Sequence, residues 1–450
     1  MQQRFPESWK NTKIIPLHKK KSTLKRENYR PVAILSPLSK ILEKVMYEQI
    51  YEYFDKNHLF HPSLHGYRRG RSTMTALLSM YEKWVKAASI GQLSGVVLVD
   101  LSAAFDLVSP DLLIQKLEVY GFDDSARQWI VSYLTNRYQS VWIDHVLSDF
   151  KENSIGVPQG SNLGPLFFLV FFNDLPTFIT GSIDCFADDS TLGATAKKVG
   201  DIGNKLSSDC DHLSSWMKAN SFKLNADKTH FLVMGTSRRL NHMQEDMVVS
   251  MDGVRLTESE NSVQLLGVKV QNNLEWSGQV HSLATKLKQR LTGLEKLKYV
   301  MNKNSKNNIV EGVFKSVLCY CLPLFGGCNE GDISVLQVLQ NRAAHVVVKM
   351  PPRTPRSVLF DKLGWLTVQQ LIAYHTLIAV FKIRRTGEPE ELARALSREN
   401  HNGHIMMKNT VLVLYRRSFM FRGAMEQVTT KLEERSQNSK IQASCKKVDC

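Results

Sequence analysis

The 450-residue chain has no long hydrophobic run: its longest purely apolar stretch, Leu166 to Phe172, is far short of the roughly 20 residues a membrane helix needs, which rules out a spanning segment. The amino end, MQQRFPESWKNTK, lacks the apolar core of a secretory signal, so the expected compartment is intracellular, with cytoplasm and nucleus undistinguished. Cysteine is scarce and odd in number, seven in all, which argues against a disulfide framework and for mostly buried, reduced thiols. No internal repeat is present, so a solenoid or propeller is not expected. What is there is globular: 43% hydrophobic, 9% aromatic and 22% charged residues exclude collagen-like, low-complexity and wholly disordered chains. At roughly 150 residues per domain, the length suggests about three lobes.

Charge is plentiful and of one dominant sign. Lys and Arg number 58 against 43 Asp and Glu, a net of +15, which favours a polyanionic partner. The excess is uneven, with +7 in residues 1–30 and +6 in residues 281–315. Two separated basic patches fit a long nucleic acid gripped at two places, and equally fit solvated faces that keep a protein soluble.

The apolar pattern mixes helix and strand. Ser39 to Phe54 reads as an amphipathic helix with Ile41, Leu42, Val45, Met46, Ile50 and Tyr53 on one face. Ser72 caps a second helix that carries Leu77, Leu78, Tyr81, Trp84 and Val85 inward, and the intervening HGYRRGRST is a loop too polar for a core. GVVLVD, Gly95 to Asp100, suits a strand buried on both faces and ending in a carboxylate. Ser109-Pro110 starts a helix that Gly121 closes, and a strand is expected around Val141 to Asp144. GVPQGSNLGP leads into the apolar helix Leu166 to Phe172. Ile183 to Ala194 reads as a hairpin with Asp188 and Asp189 at its tip, followed by a helix carrying Leu206, Cys210, Leu213, Trp216 and Met217. Strands at Thr229 to Met234 and Val263 to Val270 precede long basic helices from about Gln279 to Tyr320. PPRTP then gives a linker-like signal, a helix is expected around Leu371 to Ile383, and a polar tail begins near Lys431.

Asp100 and Asp188-Asp189 are 88 residues apart, yet pairing in one antiparallel sheet would set them side by side. Clustered carboxylates repel unless a cation neutralises them, and hard oxygen ligands suit Mg²⁺ completed by substrate phosphates. Two such ions stabilise the attacking and leaving oxygens of an in-line phosphoryl displacement. Alone, Asp-Asp is also an ordinary turn dipeptide.

The ordered set VVLVDLSAAFD, GVPQGSNLGP, CFADDSTL, LNADKTHFLVMG and VQLLGVKV, preceded by FPESWKNTKIIPLHKK, NYRPVAILSPLSKILEKVM and HGYRRGRST, resembles the reverse transcriptases of non-LTR (LINE-type, jockey-like) retrotransposons. The resemblance runs from about Phe5 to Arg342. It implies an α+β right-hand polymerase with an antiparallel palm sheet backed by helices: fingers over 1–95, palm over 96–275 with a fingers return near 122–155, a helical thumb over 276–350 and a helical C-terminal region over 351–450. Asp100 and Asp188 would be the main ligands of two Mg²⁺, with Mn²⁺ as substitute, aided by Asp189 and the backbone carbonyl of Leu101. Phe105 would lie under the incoming sugar and exclude a 2′-hydroxyl, although it also fits a core aromatic. Pro158, Gln159 and Gly160 resemble the template and nucleotide contact. Arg30 and Lys19 match triphosphate-holding positions, and Lys228 resembles a lysine that donates a proton to pyrophosphate, a surface lysine being the competing reading. Arg68, Arg69 and Arg71 would contact template or stand in a solvated loop, and Leu266-Gly267-Val268 matches the primer grip.

On the thumb helix, Leu283, Leu287, Leu291 and Leu294 form an inward stripe, with Lys286 and Arg290 along its border as candidates for the duplex and Lys288 and Lys296 pointing away. Phe186 stands where many reverse transcriptases have Tyr, and Ala103 replaces a frequent Lys. Cys319, Cys321 and Cys328 read as buried thiols, Cys445 and Cys450 form no zinc knuckle, and His65 and His345 are loop and helix residues. The resemblance implies RNA template, DNA primer, RNA–DNA heteroduplex and dNTP as partners, with no membrane. Met1 falls inside the family pattern, so a chain lacking an endonuclease portion is expected. The competing readings are a decayed copy that only binds RNA and a metal-dependent nuclease.

Overall fold

The computed structural model describes residues 4–19, 22–101, 104–222, 224, 229–243, 245–296, 301–351 and 353–396, the side chains of Glu27 and Asp100 lying outside that description. Ala103, Lys228, Cys445, Cys450 and the polar tail therefore lie outside the described residues.

The chain opens with an antiparallel pair, β1 (Asn11–His18) and β2 (Tyr29–Ile34), which sets Leu17 opposite Arg30. α1 (Pro37–Lys56) follows, and its inward face is not the one the apolar pattern marks. Ile41, Val45 and Tyr53 are exposed, while Ser39, Glu43, Ile50, Tyr51 and Phe54 are buried. The cause is a polar anchor. Buried Glu43 accepts hydrogen bonds from the Ser39 hydroxyl (2.6 Å) and the backbone N–H of Asn162 (2.7 Å), and a carboxylate with such partners belongs inside. α2 (Thr73–Ser89) starts in a reciprocal capping box between Ser72 and Thr75 and buries Leu77, Tyr81, Trp84 and Val85 as its spacing predicts.

β3 (Leu93–Asp100) feeds two cores by simple alternation: Val97 and Val99 pack on one side, Val96 on the other. α3 (Pro110–Val119) begins at the Ser109 cap and is closed by Gly121 at φ +87°. After α4 (Asp124–Leu134), β4 (Arg137–Ile143) starts earlier than expected and runs parallel to β1. It also pairs with β5 (Val146–Leu147) and β6 (Lys151–Asn153), so residues 137–153 return to the N-terminal sheet, ordered β2-β1-β4-β5. α5 (Leu163–Phe171), buried at every position but Pro165, leads to β7 (Ser182–Phe186), β8 (Asp189–Ala196) and α6 (Val199–Ala219).

After β9 (His230–Met234) come α7 (Ser237–Asn241), the separate two-stranded pair β10 (Ser250–Met251) and β11 (Val254–Arg255), and β12 (Thr257–Glu258); β9 and β12 complete a central sheet ordered β12-β9-β3-β8-β7. Its pairs are antiparallel except β12 with β9. The expected strand at Val263 to Val270 is a tight hairpin, β13 (Ser262–Leu265) and β14 (Val268–Gln271), turning on Leu266 and Gly267, both at positive φ.

Helices α8 (Ser277–Lys296), α9 (Lys303–Val310), α10 (Ser316–Cys319), α11 (Leu322–Phe325) and α12 (Glu330–Val348) precede α13 (Arg356–Leu363), α14 (Val368–Thr386) and α15 (Glu390–Leu396). PPRTP does not set the last three apart. Phe360, Trp365 and Val368 share one core with Leu287, Leu291 and Leu339, so the helices beyond it fold back onto those before.

Candidate active site

Register brings the acids together. Asp100, last in β3, pairs with Asp189, first in β8, and Phe186 pairs with Asp189 across the turn. The hairpin tip is therefore Ala187-Asp188, with Asp188 and Asp189 both exposed. Ala187 sits at φ +55°, a conformation that persists only when its surroundings hold it. They do. The segment before it is flanked by residues 63–66, whose backbone pairs with β7: Cys185 N–H donates to Ser63 carbonyl (2.9 Å) and His65 N–H donates to Cys185 carbonyl (2.8 Å). Gly66 then lies so close that a Cβ there would come within 2.4 Å of the Ala187 nitrogen. At the other end of β7, buried Asp209 accepts from the Thr180 N–H (2.8 Å) and hydroxyl (2.7 Å) and from Gly181 N–H (3.0 Å). No motif marked Asp209, which reads in the sequence as one more polar helix residue.

The nucleotide-side candidates converge from three segments. Phe105 is half-buried, its ring stacked on Phe168 (4.5 Å between centroids, 13° between planes). Tyr67, which sequence reasoning passed over, meets Phe105 edge-on at 6.0 Å. Burial raises the Tyr67 phenol above its ordinary value of 10, the Asp188 carboxylate raises it further, and Arg30 opposes them, so all three side chains share one neighbourhood. Gln159 Nε2 donates to Asp106 Oδ1 (2.7 Å). Partial desolvation raises the Asp106 carboxyl, while that hydrogen bond and the charges of exposed Lys19 and Arg30 pull it down. Gly160, at φ +106°, makes its close approach to protein: a Cβ would meet the Ala33 carbonyl oxygen at 2.9 Å, next to the bond from Ala33 N–H to Gln159 carbonyl. It is thus the joint between the PQG turn and β2. Leu101 is buried and bridges to Leu224.

The arginine loop corrects the expectation. Arg68 and Arg71 are 7% and 2% exposed and turn inward onto Glu388, at 2.9 Å and 2.5 Å. Arg68 also donates to the His61 carbonyl (3.2 Å) and Arg71 to those of Leu64 (3.1 Å) and Pro62. Arg69 lies over the Tyr51 ring at 4.5 Å and pairs with Glu48. Their charge serves backbone carbonyls and carboxylates of this chain, so a template contact by Arg68 or Arg71 is not presented. His65, expected in a polar loop, is buried, with Nε2 3.2 Å from Asp184, which Lys83 also reaches at 3.0 Å.

At the β13–β14 turn, the Tyr320 hydroxyl donates to the Leu266 carbonyl (2.7 Å) and its ring lies 3.4 Å from where a Gly267 Cβ would stand. Leu265 and Leu266 line one cleft with Phe186 and Asp189, so this turn borders the acidic hairpin. On α8 the leucine stripe is buried and Lys286 is exposed, as the spacing predicts. Arg290, also exposed, donates to the Val313 carbonyl at 2.5 Å. The basic patch is smaller than the sequence count, because Lys306 is buried and Lys315 lies over Trp365 at 4.6 Å. Cys319, Cys321 and Cys328 are reduced thiols outside any disulfide, and burial pushes those of Cys319 and Cys321 up to about 11.

Among the described residues no three His, Cys, Asp or Glu side chains form a cluster able to hold a metal, and the Asp100 side chain lies outside that set. The donors that register assembles, Asp188, Asp189 and the position of Asp100, are all oxygen and suit a hard divalent cation.

Residues 17–270 match the family described as reverse transcriptase (RNA-dependent DNA polymerase). The chain is similar to a probable RNA-directed DNA polymerase from transposon BS of Drosophila melanogaster, 26% identical over 396 residues, 85% of this chain and 43% of that one. It is 24% identical to the RNA-directed DNA polymerase from mobile element jockey of the same organism, over 77% of this chain and 38% of that one. A probable RNA-directed DNA polymerase from transposon X-element, also of Drosophila melanogaster, is 24% identical over 88% of this chain and 44% of the relative. The chain thus spans less than half the length of these relatives. Among solved structures, apo telomerase from Candida Tropicalis overlaps with a TM-score of 0.47 at 12% identity, over 95% of this chain and 69% of that one.

Proposed function

The chain belongs to the reverse transcriptase (RNA-dependent DNA polymerase) family, and from that premise we propose that it extends a primer 3′-hydroxyl along an RNA template with deoxynucleoside triphosphates, as the polymerase of a LINE-type element. The observation that carries the reading is the register that sets Asp100 against Asp189 beside the exposed Asp188. Asp100, Asp188 and Asp189 would hold the divalent ions, with the Leu101 carbonyl as a further oxygen. Bound there, two Mg²⁺ supply charge stabilisation for the attacking and leaving oxygens.

The chain's own residues do the rest. Arg30 and Lys19 offer charge-assisted bonds to a triphosphate. Phe105, braced by Phe168 and Tyr67, presents a ring that excludes a 2′-hydroxyl. The Gln159–Asp106 bond fixes the PQG turn against the segment carrying Phe105. In this reading the N-terminal sheet is the fingers, the central sheet the palm and α8 to α12 the thumb. Primer extension on poly(rA)·oligo(dT) with Mg²⁺ and dTTP tests it. Incorporation that requires template and metal supports it, and incorporation no higher than that of an Asp188→Asn variant overturns it.

A further inference from the structure

We infer that Glu388, in the segment joining α14 to α15, is a positioning residue for the acidic hairpin, acting through Arg68 and Arg71. The inference rests on the polymerase reading and assigns a part in it to the helices beyond residue 351.

The path is continuous. The Glu388 carboxylate accepts from Arg68 through one oxygen (2.9 Å) and from Arg71 Nε and a terminal nitrogen through the other (2.9 and 2.5 Å). Each arginine spends a remaining donor on a backbone carbonyl of the segment just upstream: Arg68 on His61, Arg71 on Pro62 and Leu64. That segment continues into residues 63–66, which pair with β7 and end with Gly66 pressed on Ala187. Three links therefore separate Glu388 from the turn carrying Asp188. The side chains of both arginines are nearly fully buried, so without the carboxylate two charges would sit desolvated with backbone carbonyls and, for Arg68, the Phe60 ring as partners but no counter-charge on Glu388.

Independent contacts seat the clamp. Leu78 of α2 packs with Ile383, Leu392 and Leu396, Glu391 accepts from the Ser79 hydroxyl (3.4 Å), and Gly70 lies so close that a Cβ would meet the Glu388 Cβ at 3.2 Å. The C-terminal helices thus hold the back of the hairpin from a position remote in sequence.

The test compares the full chain with Glu388→Gln, which removes the charge at constant shape, and Glu388→Asp, which keeps it. Hydrogen exchange is read on peptides spanning 61–72, 182–190 and 277–296, and the Mg²⁺ dependence of primer extension is read alongside. The expected result is faster exchange in 61–72 and 182–190 with 277–296 unchanged, a severalfold higher half-saturating Mg²⁺, and recovery of both in Glu388→Asp. A smaller folded fraction alone would lower the rate without moving the Mg²⁺ midpoint. Should Glu388→Gln unfold globally, Gly70→Ala, which presses on the same clamp, carries the same readouts. Faster exchange confined to 61–72 and the helices after 356, with a wild-type hairpin and Mg²⁺ midpoint, overturns the inference. If the wild-type chain does not extend a primer, the polymerase reading fails, and the exchange pattern still decides whether Glu388 controls the hairpin.

Discussion

The acidic hairpin has two sides that use charge in opposite ways. On its open side Lys19, Arg30, Asp188 and Asp189 are exposed, and Phe105 and Tyr67 are partly so. On its closed side Arg68, Arg71, His65 and Asp184 are buried and bonded to one another, to Glu388 and to backbone carbonyls. The same residue types thus do different work. Buried charge must be partnered and so fixes geometry, whereas exposed charge stays available to a ligand. Function and stability should therefore separate across the hairpin.

The sharpest test of that separation is Asp188→Asn, which keeps shape and removes a charge proposed to hold the divalent ions. Extension should fall by about two orders of magnitude or more, with thermal stability unchanged. A comparable loss of melting temperature would place Asp188 on the closed side instead.

Arg71→Ala against Arg30→Ala sets the two sides directly against each other. Arg71→Ala leaves Glu388 half-served and the Leu64 carbonyl without its donor, and should cost about 3 kcal/mol of stability. Arg30→Ala should leave the melting temperature in place and raise the KM for dNTP. Equal stabilities in a denaturation series would break the comparison.

Phe105 belongs to both sides, so its truncation should register in both. Phe105→Val should raise ribonucleotide relative to deoxynucleotide incorporation. Phe105→Ala should destabilise by less than the roughly 3 to 5 kcal/mol of a fully buried ring. An unchanged sugar ratio in a folded, active variant would show that the ring does not face the sugar.

Acid should weaken the closed side first. Burial lowers the His65 imidazole below its ordinary value of 6.5, with Asp184 opposing, so the folded state resists protonating it. Burial raises Asp184, but the His65 hydrogen bond and Lys83 charge outweigh that and leave it below its ordinary 3.8. Both groups bind protons more readily unfolded, so stability is held above pH 6.5 and lost as pH falls, first through His65 and then through Asp184. His65→Gln should flatten the upper part of that fall in pH-dependent thermal melts.

The smallest effect is expected on the exposed face of α8. Removing the exposed Lys286 should lower the salt slope of heteroduplex binding by roughly one unit, and Arg290→Ala by less, because the Val313 carbonyl already engages that guanidinium. Equal slopes for both variants would mean that bond gives way to phosphate.

Where the physics was local, the sequence alone determined the outcome. The Ser72 and Ser109 caps, the buried strand ending at Asp100 and the leucine stripe of α8 each follow from spacing and backbone demands within a few residues, whereas the acidic hairpin turns on Ala187-Asp188, one residue before the Asp188-Asp189 tip that the sequence marks. Motif order also announced the acids, because their neighbours are local strand and turn signals. Only the tertiary structure decided who receives each charge. Arg68 and Arg71 read as template contacts or as part of a solvated loop until Glu388, more than 300 residues downstream, closes on them. The inward face of α1 turns on Glu43 reaching Asn162, and the support of the β13–β14 turn on Tyr320 reaching Leu266. A polar side chain carries no mark of its partner in the sequence. Its environment is set by elements that meet only on folding, and desolvation then makes the partner obligatory.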